Sequence, residues 1–271
     1  MSQLRFADSM DGWAFHPDLW VTHDGSTTWH RVALPGLSPS PFVSALETAG
    51  GLVHSAVIDS NFGVRIETSA VAAESWHLSP TAIPAGAGPV PVTEIVLQAK
   101  AGWIVQVDRT VIGGARLSNG QWVQWQPPCS QVNGPASLAA SSSTDLFVVC
   151  DEGIWGPSSV LGVRDYVSRD GGVTFRRLGQ SLPASAAGVA GVATPNPPVA
   201  VIVDGSNMMA TFDGGATWGT VYRSANQTPT YVGFETAEQG VAIVENRAGA
   251  VPAGMLLRTV DGGRHWSAIA V

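Results

Sequence analysis

An eight-residue stretch recurs four times along the chain with the same spacing of residue types. Each copy, which we call an octad, places a hydroxyl residue two positions before an aspartate and an aromatic residue five positions after it. The octads are Thr22–Trp29, Ser168–Phe175, Thr211–Trp218 and Thr259–Trp266. Because both residue types and spacing repeat, the sequence predicts one structural unit that is built several times over.

The aspartate of each octad is followed by Gly-Gly or Gly-Ser, a composition typical of a tight turn. An aspartate carboxylate can accept backbone N–H groups of its own turn, and glycine takes positive φ without a steric clash. The aromatic residue then begins a strand and buries apolar area against a neighbour. We therefore expect structural roles, neither catalytic nor metal-binding, for Asp24, Trp29, Asp170, Phe175, Asp213, Trp218, Asp261 and Trp266.

The intervals between octads indicate six repeats. Asp170, Asp213 and Asp261 lie 43 and 48 positions apart, whereas 146 positions separate Asp24 from Asp170 and leave room for two more copies. Residues 68–76 keep the hydroxyl and the aromatic, and residues 117–122 replace the octad by Asn-Gly, a strong signal for a two-residue hairpin turn. The repeats are expected at residues 1–36, 37–83, 84–130, 131–180, 181–226 and 227–271.

Six repeats of short strands predict an all-β fold, a six-bladed β-propeller of four-stranded antiparallel blades. The 31 glycines, the 18 prolines and the low charged fraction of 13% suit short strands joined by turns. With 45% apolar residues, a chain of 271 residues can bury one large core, so we expect a single domain over residues 1–271. The Pro/Gly-rich segments 35–41 and 80–91 are expected to cross from one blade to the next.

The octad resembles the Asp-box, also called the bacterial neuraminidase (BNR) repeat, of sialidases, sortilin-like receptors and some xyloglucanases. It is most similar to propellers of the photosystem II assembly and stability factor type. Their blades read as an apolar strand, Gly-Trp-Ala-Val, and a strand ending in Thr-x-Asp-Gly-Gly-x-Thr-Trp. Blade one here reads Leu4-Arg5-Phe6, Gly12-Trp13-Ala14-Phe15 and then the first octad. The resemblance implies a sialidase-like propeller fold with Asp-box turns. The chain lacks the arginine-rich patch that the resemblance associates with partner contact in those assembly factors.

The enzymes that share this repeat use constellations that the chain lacks. A sialidase needs three convergent arginines, a tyrosine nucleophile with a glutamate partner and an acid/base aspartate, and its Arg-Ile-Pro motif is missing here. Asp-box xyloglucanases form their cleft between two tandem propellers, and 271 residues make one ring. The sequence contains no Ser-His-Asp pattern, phosphate-binding glycine loop or Cys/His metal motif. It therefore predicts no catalytic residue, no metal site and no cofactor.

Five of the six blades are expected to end the second strand with an apolar residue followed by an acid. One interpretation is that acidic residues suit turns. The other is a ring of carboxylates that attracts a cationic or hydroxyl-rich ligand. Trp155, in the Gly/Pro-rich insertion 151–160, either contacts such a ligand or covers a neighbouring blade. The candidate ligand-binding residues are Asp59, Asp108, Asp151, Asp204, Glu245 and Trp155.

Charge and cysteine content limit the partners and the compartment. A net charge of −7 without a basic run argues against nucleic acid or an anionic membrane surface, and no apolar stretch reaches the 18 residues of a membrane-spanning helix. Cys129 and Cys150 are either two buried thiols or, as we prefer, a disulfide between successive blades, which would indicate an extracytoplasmic protein. The residues before the first strand do not have the pattern of a leader peptide. The alternatives are therefore a cytoplasmic protein, or an extracytoplasmic one whose leader has been removed and replaced by Met1.

Together these features predict a secreted or otherwise extracytoplasmic binding or scaffold propeller without catalysis. We expect a monomer that recognises a protein or a carbohydrate through one face. The alternative is a glycan-active enzyme, either sialidase-like or another glycoside hydrolase.

Overall fold

A computed structural model describes most of the chain. The described residues are 3–37, 42–59, 63–80, 92–108, 110–131, 136–154, 161–179, 182, 189–205, 207–246 and 254–269. For residues 92, 108, 130–131, 152–154 and 161–162 it describes the backbone alone. These residues form β-strands and one short 3-10 helix, Pro128–Gln131.

The first compact unit, Met1–Ser130, contains three four-stranded sheets. Blade one consists of β1 (Gln3–Phe6), β2 (Gly12–Phe15), β3 (Trp20–Thr22) and β4 (His30–Arg31). Blade two consists of β5 (Phe42–Ala49), β6 (Leu52–Ile58), β7 (Val64–Ala70) and β8 (His77–Ser79). Blade three consists of β9 (Val92–Gln98), β10 (Ala101–Asp108), β11 (Thr110–Ser118) and β12 (Gln121–Trp125).

The second compact unit, Gln131–Val271, contains the other three sheets. Blade four consists of β13 (Ala136–Ala140), β14 (Leu146–Ile154), β15 (Leu161–Ser168) and β16 (Arg176–Arg177). Blade five consists of β17 (Val189–Asn196), β18 (Val199–Asp204), β19 (Asn207–Thr211) and β20 (Gly219–Arg223). Blade six consists of β21 (Gln227–Phe234), β22 (Gly240–Asn246), β23 (Gly254–Thr259) and β24 (Ser267–Ile269).

Each sheet is built from four consecutive strands in their chain order, and every pairing is antiparallel. The six sheets are the blades of a β-propeller, so the predicted fold class is confirmed. The two-residue turn predicted in blade three is also confirmed: Ser118 pairs with Gln121, and Asn119 and Gly120 both have positive φ. The predicted crossover segments lie mostly outside the described residues, at 38–41 and 81–91.

Hydrophobic cores form between successive blades within each unit. Blade five contributes to both cores of its unit, and every residue of its second strand, β18, is buried. In the first unit, cores lie between blades one and two, around Trp13 and Trp76, and between blades two and three, around Ile66 and Trp122. The second unit repeats this arrangement, with one core between blades four and five, around Phe147 and Ile202, and another between blades five and six, around Val203 and Leu257.

One predicted strand end is wrong. Asp151 was expected in the turn after the second strand of blade four, but β14 continues through Asp151 to Ile154. Asp151 pairs with Val163 there, and the register shifts by a bulge before Ile154 pairs with Leu161. A bulge lets a strand continue past the point where regular pairing would stop, so Asp151 belongs to the sheet and its side chain is buried.

Candidate functional site

The aspartate of each octad is hydrogen-bonded within its own turn. In blade five, Asp213 Oδ1 accepts the Thr211 hydroxyl at 2.8 Å and the Thr217 N–H at 2.9 Å, while Oδ2 accepts the Thr217 hydroxyl at 2.6 Å. The same contacts surround Asp24 and Asp170, and at Asp261 a nitrogen of the His265 ring replaces the second hydroxyl. The octad carboxylates are therefore engaged in holding their own turns.

These hydrogen bonds favour the charged carboxylate and lower its pKa. The pKa is lowered to about 2 at Asp24, Asp170, Asp213 and Asp261. The largest cause is the hydroxyl four residues later, or, at Asp261, the His265 backbone N–H. Such groups stay ionised at neutral pH, so none of them suits the role of a general acid.

The glycines connect each octad to the rest of its blade. The Gly214 N–H donates to the Pro198 carbonyl, in the turn between the first two strands, at 2.8 Å. The equivalent bonds join Gly25 to Met10, Gly171 to Thr144 and Gly262 to Glu238. The second glycine is more constrained: Gly215 has a φ of 90°, and a Cβ there would lie 2.2 Å from Leu178 Cδ1.

The octad tryptophans Trp29, Trp218 and Trp266 each pack edge-on against a phenylalanine. The ring centroids are 6.2 Å apart for Phe6 and Trp29, 5.7 Å for Phe147 and Trp218, and 6.0 Å for Phe234 and Trp266. Phe175, the fourth octad aromatic, is half-buried. Such pairs add to the apolar area that each ring buries.

The structure separates the predicted acidic positions into different environments. Asp59 accepts the Gly63 N–H at 2.9 Å and closes the turn after β6. Glu245 is exposed near the end of β22. Asp151 and Asp204 are both buried, on the second strands of blades four and five. Asp108 ends β10, but its side chain, like all of Trp155, lies outside the described residues.

Asp151 and Asp204 lie on either side of one residue of β17. Asp151 Oδ2 accepts the Val189 N–H at 3.3 Å, and Val189 is the cross-strand partner of Asp204. The other oxygen of Asp151, Oδ1, is buried without a hydrogen-bond partner among the described residues. Burial raises the pKa of both carboxyls to about 6, and at Asp204 the neighbouring Asp151 charge adds to the rise.

A third buried acid, Asp165 on β15, is one that the sequence reasoning missed. It is 1% exposed, and burial raises its pKa to about 6. Within the described part of the chain its Oδ2 atom has no hydrogen-bond partner, although the Trp218 indole lies close enough to lower the pKa in part. Alternation along β15 could have indicated it, since the buried Val163 and Val167 lie two positions away on either side.

A surface cluster of histidines and acids was also missed. Glu74 Oε1 contacts His30 Nε2 and lies 3.6 Å from His23 Nε2, while His23 Nδ1 contacts Asp11. The turn of blade one thus meets the turn of blade two through these polar side chains. Glu74 belongs to the blade that follows the one with His23 and His30, so no local spacing in the sequence indicates this cluster. Among the described residues, no group of three His, Cys, Asp or Glu side chains is arranged to hold a metal ion.

Both cysteines are buried and disulfide-bonded, and they are the two cysteines of the sequence, so the expected disulfide between Cys129 and Cys150 is confirmed. No helix within the described ranges has the length and apolar character needed to cross a membrane.

Comparison with known proteins supports the fold and leaves the activity open. No protein-family profile matches the sequence. No curated protein has a significantly similar sequence. Among solved structures, YCF48 bound to D1 peptide matches with a TM-score of 0.61 and 14% identity over 98% of this chain and 79% of that one. YCF48 from Cyanidioschyzon merolae has a TM-score of 0.61 and 13% identity over 98% of this chain and 83% of that one.

A glycan-active enzyme is also similar in fold. The Niastella koreensis GH74 enzyme matches with a TM-score of 0.55 and 13% identity, over 97% of this chain and 49% of that one. This chain thus spans about half the length of the GH74 chain. At such low identity the similarity concerns the fold, and function must be argued from the residues of the site.

Proposed function

We propose that this protein is a binding module without chemistry of its own, which recognises a protein or glycan partner through the blade ends where the second strands finish. The observation that carries this proposal is the buried pair Asp151 and Asp204, with one Asp151 oxygen unpartnered among the described residues. A buried carboxylate oxygen such as Asp151 Oδ1 is unfavourable without a partner, and a cationic or hydroxyl-rich group from a ligand would relieve that cost.

The octads support the proposal by exclusion. We interpret them as Asp-box repeats whose role is mechanical, because each carboxylate is engaged within its own turn. The remaining candidate binding residues include Asp59, Asp204 and Glu245, which lie at the opposite end of the second strands. Asp59 already closes a turn, so Asp151 and Asp204 are the better candidates.

Two further observations are in keeping with a binding role outside the cytosol. YCF48 is a propeller of similar fold whose structure includes a bound D1 peptide. Disulfides persist mainly in oxidising compartments, and we therefore propose that the chain works extracytoplasmically. The expected monomeric state remains a prediction.

The test compares two charge-matched double variants on a glycan array and on an array of basic, neutral and acidic peptides. Asp151→Asn with Asp204→Asn removes the buried pair, and Asp59→Asn with Glu245→Gln removes two acids from the same blade ends. We expect the first variant to lose array binding with an unchanged or higher melting temperature, and the second to bind like the unmodified protein. Equal binding by the first variant, or no array binding by the unmodified protein, would overturn the proposal.

One observation favours a glycan-active enzyme as the second candidate. Asp151 and Asp204 are adjacent carboxyls with raised pKa values, a combination found in acid/base pairs of glycosidases. Turnover of aryl glycosides and sialosides distinguishes the candidates. Hydrolysis that is abolished by Asp151→Asn or Asp204→Asn alone would replace the binding module by an enzyme.

A further inference from the structure

A cavity of about 210 Å³ lies between blades two and three, at the start of their second strands. Its lining includes Leu52, His54, Leu97, Lys100, Leu117 and Gly120. This is the opposite end of β6 from Asp59, so the cavity is separate from the acidic positions discussed above. We call it the blade-three pocket.

The pocket exists because blade three lacks a complete octad. In blade six, the second octad glycine, Gly263, covers the adjoining blade: a Cβ on it would lie 3.0 Å from Val201 and 3.2 Å from Phe234. Val201 is the third residue of β18, as His54 is the third residue of β6. The two-residue turn Asn119-Gly120 supplies no counterpart to Gly263, so the space beside His54 stays open.

A smaller side chain widens the opening. Phe234 of blade six pairs with Gly240 and packs edge-on against Trp266. In blade three the residue that pairs with the corresponding glycine, Gly102, is Leu97, which lies beside Trp122. The leucine has less volume than the phenylalanine.

The lining combines apolar walls with one cation. Leu52, Leu97 and Leu117 supply apolar surface. Leu52 is 41% exposed, because no octad of blade three covers it. Lys100 is the only lysine of the sequence, and it is exposed in the turn between β9 and β10, without an ion pair among the described residues. A cation beside an apolar cavity is suited to a ligand with a carboxylate next to an apolar group.

The neighbouring titratable groups leave Lys100 as the cation of the pocket. Burial, together with the nearby His77, lowers the pKa of His54 to about 4, so His54 is neutral at pH 7. Its imidazole is bonded to the Thr68 hydroxyl at 2.9 Å and packs edge-on against Trp122. Glu47, the cross-strand partner of His54, directs its carboxylate to Arg5.

We propose that the blade-three pocket binds a compact apolar carboxylate, with an aromatic or branched aliphatic group between Leu97 and Leu117 and the carboxylate on Lys100 Nζ. The volume suits this class, because an apolar cavity of about 150 Å³ holds benzene and the pocket is somewhat larger. Such a carboxylate is present both in a free small acid and in the C-terminal residue of a peptide. The binding is independent of Asp151 and Asp204.

The probe is 3-phenylpropionate, and its uncharged amide tests the carboxylate. Because the chain has one lysine, reductive ¹³C-methylation gives a single lysine side-chain signal in NMR spectra for following the titration. We expect the acid to shift this signal saturably and the amide to bind more weakly. Short peptides ending in phenylalanine, as free acids or amides, separate the two sources: binding of the free-acid peptide indicates a protein C-terminus, and binding of 3-phenylpropionate alone indicates a small acid.

Three variants make the test decisive, with calorimetry as the readout. Lys100→Gln should weaken 3-phenylpropionate binding about twofold to fivefold, the range of an exposed ion pair. Arg176→Gln, which removes an exposed cation from blade four, should leave it unchanged. Leu97→Phe should abolish binding by filling the pocket. If Leu97→Phe lowers the melting temperature of the protein, Leu117→Phe serves as the filling variant instead. Unchanged binding in Lys100→Gln or in a folded filling variant, or no saturable binding by the unmodified protein, would overturn the proposal.

Discussion

Asp151 and Asp204 lie on either side of Val189. The Val189 N–H donates to Asp151, and Val189 is the cross-strand partner of Asp204. Two carboxyls of like charge are thereby buried between blades four and five. Burial disfavours the charged form of both, and the charge of Asp151 adds to this effect at Asp204. This pair therefore links the stability of the second unit to pH as well as carrying the proposed binding function.

The first prediction concerns the pH dependence of stability. The folded-state pKa values of Asp151, Asp165 and Asp204 are raised from 3.8 to about 6, so the folded protein binds more protons than the unfolded chain between these values. The free energy of unfolding should therefore decrease as pH rises through this interval and stay low above it. Urea unfolding from pH 2 to pH 8 measures it. A steady increase in stability from pH 4 to pH 8 would contradict the assignment.

The octad carboxylates act in the opposite direction at lower pH. Their folded-state pKa of about 2 lies below the unfolded value of 3.8, so their contribution is present above 3.8 and is lost as pH falls towards 2. The same unfolding series should therefore pass through a maximum between the two regions. A protein that is most stable at pH 2 would rule out this role of the octads.

The second prediction isolates one member of the buried pair. Asp204→Asn should raise the melting temperature at pH 8, because an amide avoids the cost of a buried charge, and should have little effect at pH 4.5, where the carboxyl is protonated. Glu245→Gln is the matched control, since Glu245 is exposed on the corresponding strand of blade six. Lower stability of Asp204→Asn at pH 8 would mean that the carboxylate is favourably paired.

The third prediction compares the two glycines of one octad. Both Gly214 and Gly215 have positive φ, which costs alanine about 1 kcal/mol, but a Cβ at Gly214 meets nothing within 4 Å. At Gly215 it meets the buried Leu178, which adds about 1–3 kcal/mol of overpacking. Gly215→Ala should therefore be clearly less stable than Gly214→Ala in urea unfolding. Equal losses would indicate that Leu178 moves aside freely.

The fourth prediction concerns the disulfide. The bond closes a loop of 21 positions between Cys129 and Cys150, so replacing both cysteines by alanine should lower the free energy of unfolding by about 3 kcal/mol. Unmodified protein unfolded with and without reductant provides the control, because only the unreduced sample should differ from the double variant. Identical unfolding curves for all three samples would show that the bond does not stabilise the fold.

The fifth prediction follows from the expectation of a single domain over residues 1–271. Calorimetry of the whole chain at pH 5 should give one cooperative transition with equal calorimetric and van't Hoff enthalpies. Two separated transitions would indicate instead that residues 1–130 and 131–271 unfold independently. The Gly215→Ala variant assigns the transitions in that case, because only the one that contains blade five should shift.

The sequence by itself determined the six repeats, the four-stranded blades and the hairpin at Asn119-Gly120. These features depend on local chemistry: the contacts of Asp213 all come from residues within four positions along the chain. The spacing of an octad therefore encodes its structure directly. The second-strand acids, by contrast, looked alike in the sequence, although Asp59 closes a turn and Asp204 is buried.

Only the tertiary structure decided which of those acids are buried and which blades leave a gap. Asp151 is buried because β17 of the next blade covers it, and Glu74 joins His23 and His30 from the adjacent blade. The blade-three pocket likewise arises where a short turn meets the neighbouring sheet. Each of these features depends on groups that come together from different blades. Burial and electrostatic interactions depend on this three-dimensional arrangement, and the local spacing of residues in the sequence does not encode it.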